Sequence, residues 1–143
     1  MKDLYNHIEF VQAIKPVLVS DNTVPAAAIV DLAGFNSAVI ELSVGLKSAD
    51  AGTITLKAEH SDTSSFANVA AADMQGVTPA EGVIYTIDTD SDDSTSRIVK
   101  FGYVGGKRYL KLTIAEGLGA NANGVILGVT VVKGHGLDAP AIS

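Results

Sequence analysis

The chain has 143 residues, a net charge of −6, 47% apolar and 18% charged residues, and neither cysteine nor tryptophan. That length and balance suit one folded domain spanning residues 1–143 with a core of its own, and exclude a disordered chain. Without cysteine there are no disulfides, no thiol catalysis and no cysteine-ligated zinc, and folding in a reducing cytosol is compatible; ten Lys and Arg against sixteen Asp and Glu argue against direct nucleic-acid binding, which needs a basic surface.

The opening "MKDLYNHIEF" has no apolar core of signal-peptide length, and no apolar run elsewhere approaches a membrane span, so a soluble, unprocessed chain with no membrane partner is expected. In the first twenty residues Leu4, Ile8, Phe10, Val11 and Ile14 keep no single period, and Pro16 removes a ladder donor. Residues 1–20 therefore read as an extended arm that docks on a neighbour instead of completing the core. Pro25 interrupts the next run, "VPAAAIVDL", and both proline-bearing runs belong at sheet edges or in an arm.

From Phe35 the pattern becomes regular. Ala38, Ile40, Leu42 and Val44 alternate with Val39, Glu41 and Ser43, which marks a strand with one buried face. After "KSADAG", Ile54, Leu56 and Ala58 alternate with Thr53, Thr55, Lys57 and Glu59, and a hairpin is expected between these two strands. The short run "NVAAADMQG" fits a turn as well as a helix. Further strands are expected at "GVIYTID", "SRIVKFGYVG", "KRYLKLTIA" and "GVILGVTVVKG", the last apolar on both faces; eight or nine strands in all point to an all-β antiparallel sandwich. The end, 135–143, reads as an extended tail.

Three features could carry chemistry. Gly105-Gly106 followed by Lys107 and Arg108 has the look of a phosphate loop, but the Ser or Thr after the lysine is missing and a period-two pattern follows. A tight hairpin turn between Val104 and Lys107 is the reading adopted. Asp88, Asp90, Asp92 and Asp93 in "DTDSDDS" resemble the start of a calcium loop, yet Asp93 stands where glycine is needed and Val99 where a bidentate glutamate is needed, so a solvated acidic loop is expected. His7, His60 and His135 have no ligand spacing, and there is no GxSxG elbow. No catalytic, cofactor or metal residue is assigned, and an enzyme is not expected.

Taken in order, "MKDLYNHI" with "VQAIKP", "DLAGFNSAVIELSVG", "AEHSDTSSFANVAAADMQG", "FGYVGGKRYLKLTI" and "GVTVVKGHGLDAP" resemble a family of small proteins encoded beside the major capsid gene of tailed bacteriophages. The resemblance spans nearly the whole chain, although "SADAGTIT" lacks an aromatic residue expected at that turn. It implies a jelly-roll capsid cement or decoration protein, made in the host bacterial cytoplasm and bound to the outer surface of the virion shell. It further implies the major capsid protein and a second or third copy of itself, as a homodimer or homotrimer, as partners. A tail- or fibre-associated sandwich that binds carbohydrate or protein is the other reading.

Overall fold

The computed structural model describes residues 3–47, 52–88 and 96–136. The strands are β1 (Glu9–Val19), β2 (Ala28–Asp31), β3 (Phe35–Lys47), β4 (Gly52–Ser61), β5 (Ala67–Asn68), β6 (Met74–Gln75), β7 (Val83–Asp88), β8 (Arg97–Tyr103), β9 (Tyr109–Leu118) and β10 (Val125–Gly136). They form two antiparallel sheets packed as a sandwich, ordered β1-β10-β3-β8-β6 and β2-β9-β4-β5, with β7 also paired to β4. The pairs are nested: β1 with β10, β2 with β9, β3 with β8, β4 with β7. A long ribbon folded back on itself in this way is the jelly-roll weave.

The alternation visible in the sequence sets the core. Ala38, Ile40, Leu42 and Val44 of β3 face Ile54, Leu56 and Ala58 of β4 and Leu110, Leu112 and Ile114 of β9 across the interleaf, and all are buried. Val125, Leu127, Val129 and Val131 of β10 fill the same layer. The odd and even positions of each strand separate because successive side chains leave a pleated strand on opposite sides.

Two expected hairpins are absent. β3 and β4 lie in different sheets, and so do β8 and β9, so the chain crosses the sandwich at both places. The stretch Val104–Arg108 is a sheet-to-sheet connection; Gly106 has φ +74°, and a Cβ on Gly105 would sit 2.8 Å from the Tyr103 ring. Glycine is needed there for close packing, not for a two-residue turn. The "NVAAADMQG" run is a short strand, one 3₁₀ turn at Ala71–Asp73 and a second short strand.

The N-terminal arm is also corrected. Residues 9–19 form the edge strand of the first sheet, hydrogen-bonded along β10, and Ile14 and Val19 are in the core. The period was lost because β1 bulges twice: Ala13 is extra between the pairs Gln12↔Thr130 and Ile14↔Val129, and between Ile14↔Val129 and Val17↔Leu127 the strand places Lys15 and Pro16 against Gly128 alone. Pro16 lies so close that a Cβ on Gly128 would meet its backbone at 3.3 Å. The edge placement of both proline-bearing runs matches expectation, since β1 and β2 end their sheets. Lys133, near the end of β10, is buried; it pairs with Glu9 at 3.0 Å and lies over the Phe35 ring at 4.8 Å, fastening the start of β1.

Truncation separates strand from arm. Removal of residues 1–8 should change stability by no more than about 1 kcal/mol, as for changes outside a core. Removal of residues 1–20 deletes Ile14 and Val19 and bares β10, which should cost at least about 5 kcal/mol and unfold most of the protein. Thermal melts followed by circular dichroism check both; a folded, cooperative 21–143 fragment would restore the arm reading.

Candidate functional site

The two outer faces differ in kind. On the β2-β9-β4 sheet, Lys57 pairs with Glu59 at 3.1 Å, Lys111 pairs with Glu59 at 3.7 Å, and Lys111 lies over the Phe66 ring at 5.4 Å. This face carries matched charges, with Ile29 of β2 its exposed aliphatic side chain among the described residues. On the β1-β10-β3-β8 sheet, Phe10, Leu18, Val39, Ile98 and Ile126 are exposed, Ile98 at 71% and Phe10 at 68%. Register places Phe10 beside Val132 and Val132 beside Val39, and Leu18 beside Ile126. Alongside the Leu18–Ile126 row, Pro16, Ser43, Gly45, Ile98, Ile126 and Gly128, together with Arg97, line a groove of about 610 Å³. The doubly apolar β10 seen in the sequence is thus a central strand whose second face is partly bare, with Ile126 56% exposed. An apolar patch of this kind on one side of a small protein marks an association surface.

The Gly105-Gly106 connection belongs to a polar network at one end of the sandwich. Arg108 donates from Nε and Nη2 to both carboxylate oxygens of Asp31, at 3.0 and 2.9 Å, and its own N–H donates to Asp62. Lys107 Nζ pairs with Asp62 at 3.2 Å. The Arg108 hydrogen bonds, aided by the Ala33 N–H, hold the Asp31 carboxyl down at about 2. Both cations of the loop are therefore neutralised by carboxylates, which leaves no basic cradle for a phosphate.

Behind this loop Tyr103 is buried against His60, ring edge to ring face at 5.7 Å. Its hydroxyl accepts the Lys107 N–H at 3.2 Å and shares a hydrogen bond with His60 Nδ1 at 2.8 Å. His60 Nε2 points to Asp73 Oδ2 at 3.7 Å, and that oxygen accepts the Ala70 N–H. Burial, with Asp73 and Asp62 nearby, pushes the Tyr103 phenol up to about 12. A phenol held protonated is a structural tie, not a nucleophile or base at neutral pH. Nothing in the sequence singled out Tyr103; the signal was an aromatic residue at the end of an alternating strand directly before two glycines.

The other sequence candidates do not converge. His7 sits in the 3₁₀ turn before β1 and His135 at the end of β10, where it has φ +51° and its Nδ1 meets Ser37 Oγ at 2.7 Å. Asp88 ends β7 opposite Thr53, while Asp90, Asp92 and Asp93 lie outside the described residues, as does the tail from 137 onward. Among the described residues no three His, Asp or Glu side chains gather as metal ligands, and no helix is long and apolar enough to cross a membrane.

No protein-family model matches the chain, and no curated protein is similar to it in sequence. Among solved structures it is similar to the SPBc2 prophage-derived protein YomS, at 8% identity over 88% of this chain and 91% of that one, with a TM-score of 0.43. It is similar to tobacco streak virus coat protein at 15% identity over 100% and 95% of the two chains, TM-score 0.38. It is similar to a carbohydrate-binding module of Cellvibrio mixtus lichenase 5A at 15% identity over 89% and 97%, TM-score 0.35. Identities and TM-scores this low bear on neither the family nor the function of this chain.

Replacing Tyr103 with Phe should leave His60 Nδ1 and the Lys107 N–H without their partner, at a cost of about 1–2 kcal/mol, read as a midpoint lowered by about 3–6 °C. The native phenol keeps its proton to about 12, whereas an unfolded tyrosine releases it at 10.0, so between those values the unfolded state binds fewer protons and stability falls as pH rises. Tyr103→Phe should lose that part of the alkaline decline and, in ultraviolet titration, one phenolate step near 12. Identical alkaline profiles for the two proteins would show that Tyr103 is not tied in this way.

Proposed function

We propose that this chain is a structural virion protein, a cement or decoration protein that binds the outside of a tailed-phage shell and braces neighbouring capsomers. The observation that carries this reading is the one-sided apolar surface of a jelly-roll sandwich, Phe10, Leu18, Val39, Ile98 and Ile126 on one sheet against matched ion pairs on the other. A protein that works by being covered needs such a face and needs no reactive group. The family resemblance of the ordered sequence blocks points the same way. Repetition of modest contacts over a closed lattice supplies avidity, so no single contact has to be strong.

A tail- or fibre-associated binding module is the second reading, favoured by one observation. Ile29, Phe66 and Tyr109, rimmed by Asp62, Thr63 and Ser64, line a depression of about 470 Å³ on the polar sheet. Arg108 lies over Tyr109 at 4.9 Å and Lys111 over Phe66, so both rings already carry a cation. That occupancy weakens them as stacking platforms for a sugar.

The experiment is co-sedimentation with empty shells assembled from the capsid gene beside its own. The protein should pellet with expanded shells at a saturating, fixed copy number and raise their disruption temperature. Protein left in the supernatant at saturating concentration would refute the cement reading; binding to a glycan array lost on Tyr109→Ala would establish the module.

A further inference from the structure

We propose that the outer edge of β8, residues 97–101, receives an extended segment of a shell subunit as an added strand of the first sheet. The proposal rests on the virion reading and deepens it, by naming the form the shell partner takes and the main-chain groups that hold it.

The main chain shows which way each residue of β8 turns its hydrogen-bonding groups. Val104 donates its N–H to the Asp73 carbonyl at 2.8 Å, on the β6 side, and Gly102 pairs with Gln75 on that same side. These directions alternate along a strand, so Lys100 and Ile98 also turn outward, while Val99, Phe101 and Tyr103 turn to β3. β6 ends at Gln75, and Gly76 leaves with φ +86°, where a Cβ would stand 3.9 Å from the Lys100 carbonyl oxygen. Among the described residues nothing bonds the outward N–H and C=O of Ile98 and Lys100. Natural sheet edges are blunted by proline, by bulges or by shortness. β1 carries Pro16 and bulges, β2 has four residues and β5 two, whereas β8 pairs with β3 over seven residues with neither proline nor bulge.

These groups define the occupant. Donors and acceptors set in line along an edge are satisfied together only by another extended chain, lying about 4.8 Å from β8 with its own N–H and C=O groups facing them. The side chains beneath say what that chain carries. Val99 stands opposite the buried Leu42, and Tyr85 of β7 opposite the buried Leu56, so both belong to the layer between the sheets. Both pack against the core, yet at this edge both are only half-buried, and the Tyr85 ring meets Phe101 at 5.9 Å. A strand added beside β8 lays every second residue over Val99 and Tyr85 and completes a core layer that is one strand short, which calls for aliphatic residues at those positions. Its other residues run past Ile98, 71% exposed, and past Lys100, whose charge is already opposite Glu41. The partner segment is therefore extended, with one aliphatic side.

Proline at position 100 removes an N–H that β3 does not use, and an edge strand tolerates it there. Lys100→Pro should melt within about 4 °C of the wild type. It should bind empty shells, assembled from the capsid gene beside its own, at least about tenfold more weakly, because one hydrogen bond is lost and the ring stands in the path of the added strand. Lys100→Ala keeps the N–H and should lose less than about threefold. Hydrogen exchange read residue by residue gives a second measurement on the unaltered chain. In the free protein the Ile98 and Lys100 amides should exchange at least about a hundredfold faster than those of Val99 and Phe101, and shell binding should bring all four to comparable rates. Shell binding by Lys100→Pro equal to wild type, an equal loss in Lys100→Ala, or Ile98 and Lys100 amides that stay fast on the shell would each overturn the inference and leave the cement reading standing. If Lys100→Pro does not fold, the exchange measurement decides. A wild type that leaves nothing on the shells sinks the cement reading, and the inference falls with it.

Discussion

The pairing of β10 with β1 on one side and β3 on the other is the contact on which the rest of the molecule depends. It joins residues far apart in the chain, more than a hundred positions for β1 as in Phe10 with Val132, and it lays Val125, Leu127, Val129 and Val131 into the centre of the core. Neither β1 nor β3 can complete the first sheet until the last strand arrives between them. Stability therefore rests on non-local contacts, whose loop-closure entropy must be met before their burial contributes, and folding of such a chain is intrinsically slow.

Among the described residues, the polar ties that reach the interleaf gather at one end of it, where Lys133 and Tyr103 flank Ala38 and the backbone must turn and cannot satisfy itself. Tyr103 closes one end by linking β8 to His60 of β4 across the two sheets and by accepting the N–H of Lys107. Lys133 holds together Glu9, Phe35 and the carbonyl of Asp31, which belong to β1, β3 and β2. Removing one partner of a buried pair leaves a bare charge, so a tie of this sort specifies position more than it adds net stability. Surface pairs such as Arg108 with Asp31 are well formed but half-exposed, and contribute little beyond ordering their loop.

With the core and the ends accounted for, the chemistry left over is on the outside, and it is unevenly shared. Ion pairs and threonines dress one sheet, while the other offers aliphatic side chains around a glycine-floored groove. Burial of a strand on both sides is ordinary in a multi-layer assembly and uneconomical in a lone two-layer sandwich. The proposed role, bracing a shell, follows from treating that uneven dressing as a surface waiting for cover.

Much of this was legible in the residues. The alternation of Ala38 to Val44, Ile54 to Ala58 and Leu110 to Ile114 identified strands and their buried faces, because which side a residue takes is a local property of the pleat. Pro16 and Pro25 marked edge segments, because a missing donor is intolerable between two neighbours. The strand that follows Gly105-Gly106 was legible from its period-two pattern, and the stickiness of β10 from its composition. Partnership was not: β3 and β4, or β8 and β9, look like hairpins, since short connections favour adjacent pairing, yet the chain crosses the sandwich at each. Nor could the sequence show that Pro16 sits in a bulge over Gly128, which hid the period of β1 and made a core strand look like an arm. Strand identity is written in neighbours two residues apart, whereas pairing, register across a bulge and the meeting of Tyr103 with His60 depend on residues brought together from distant parts of the chain, and only the tertiary structure decides those.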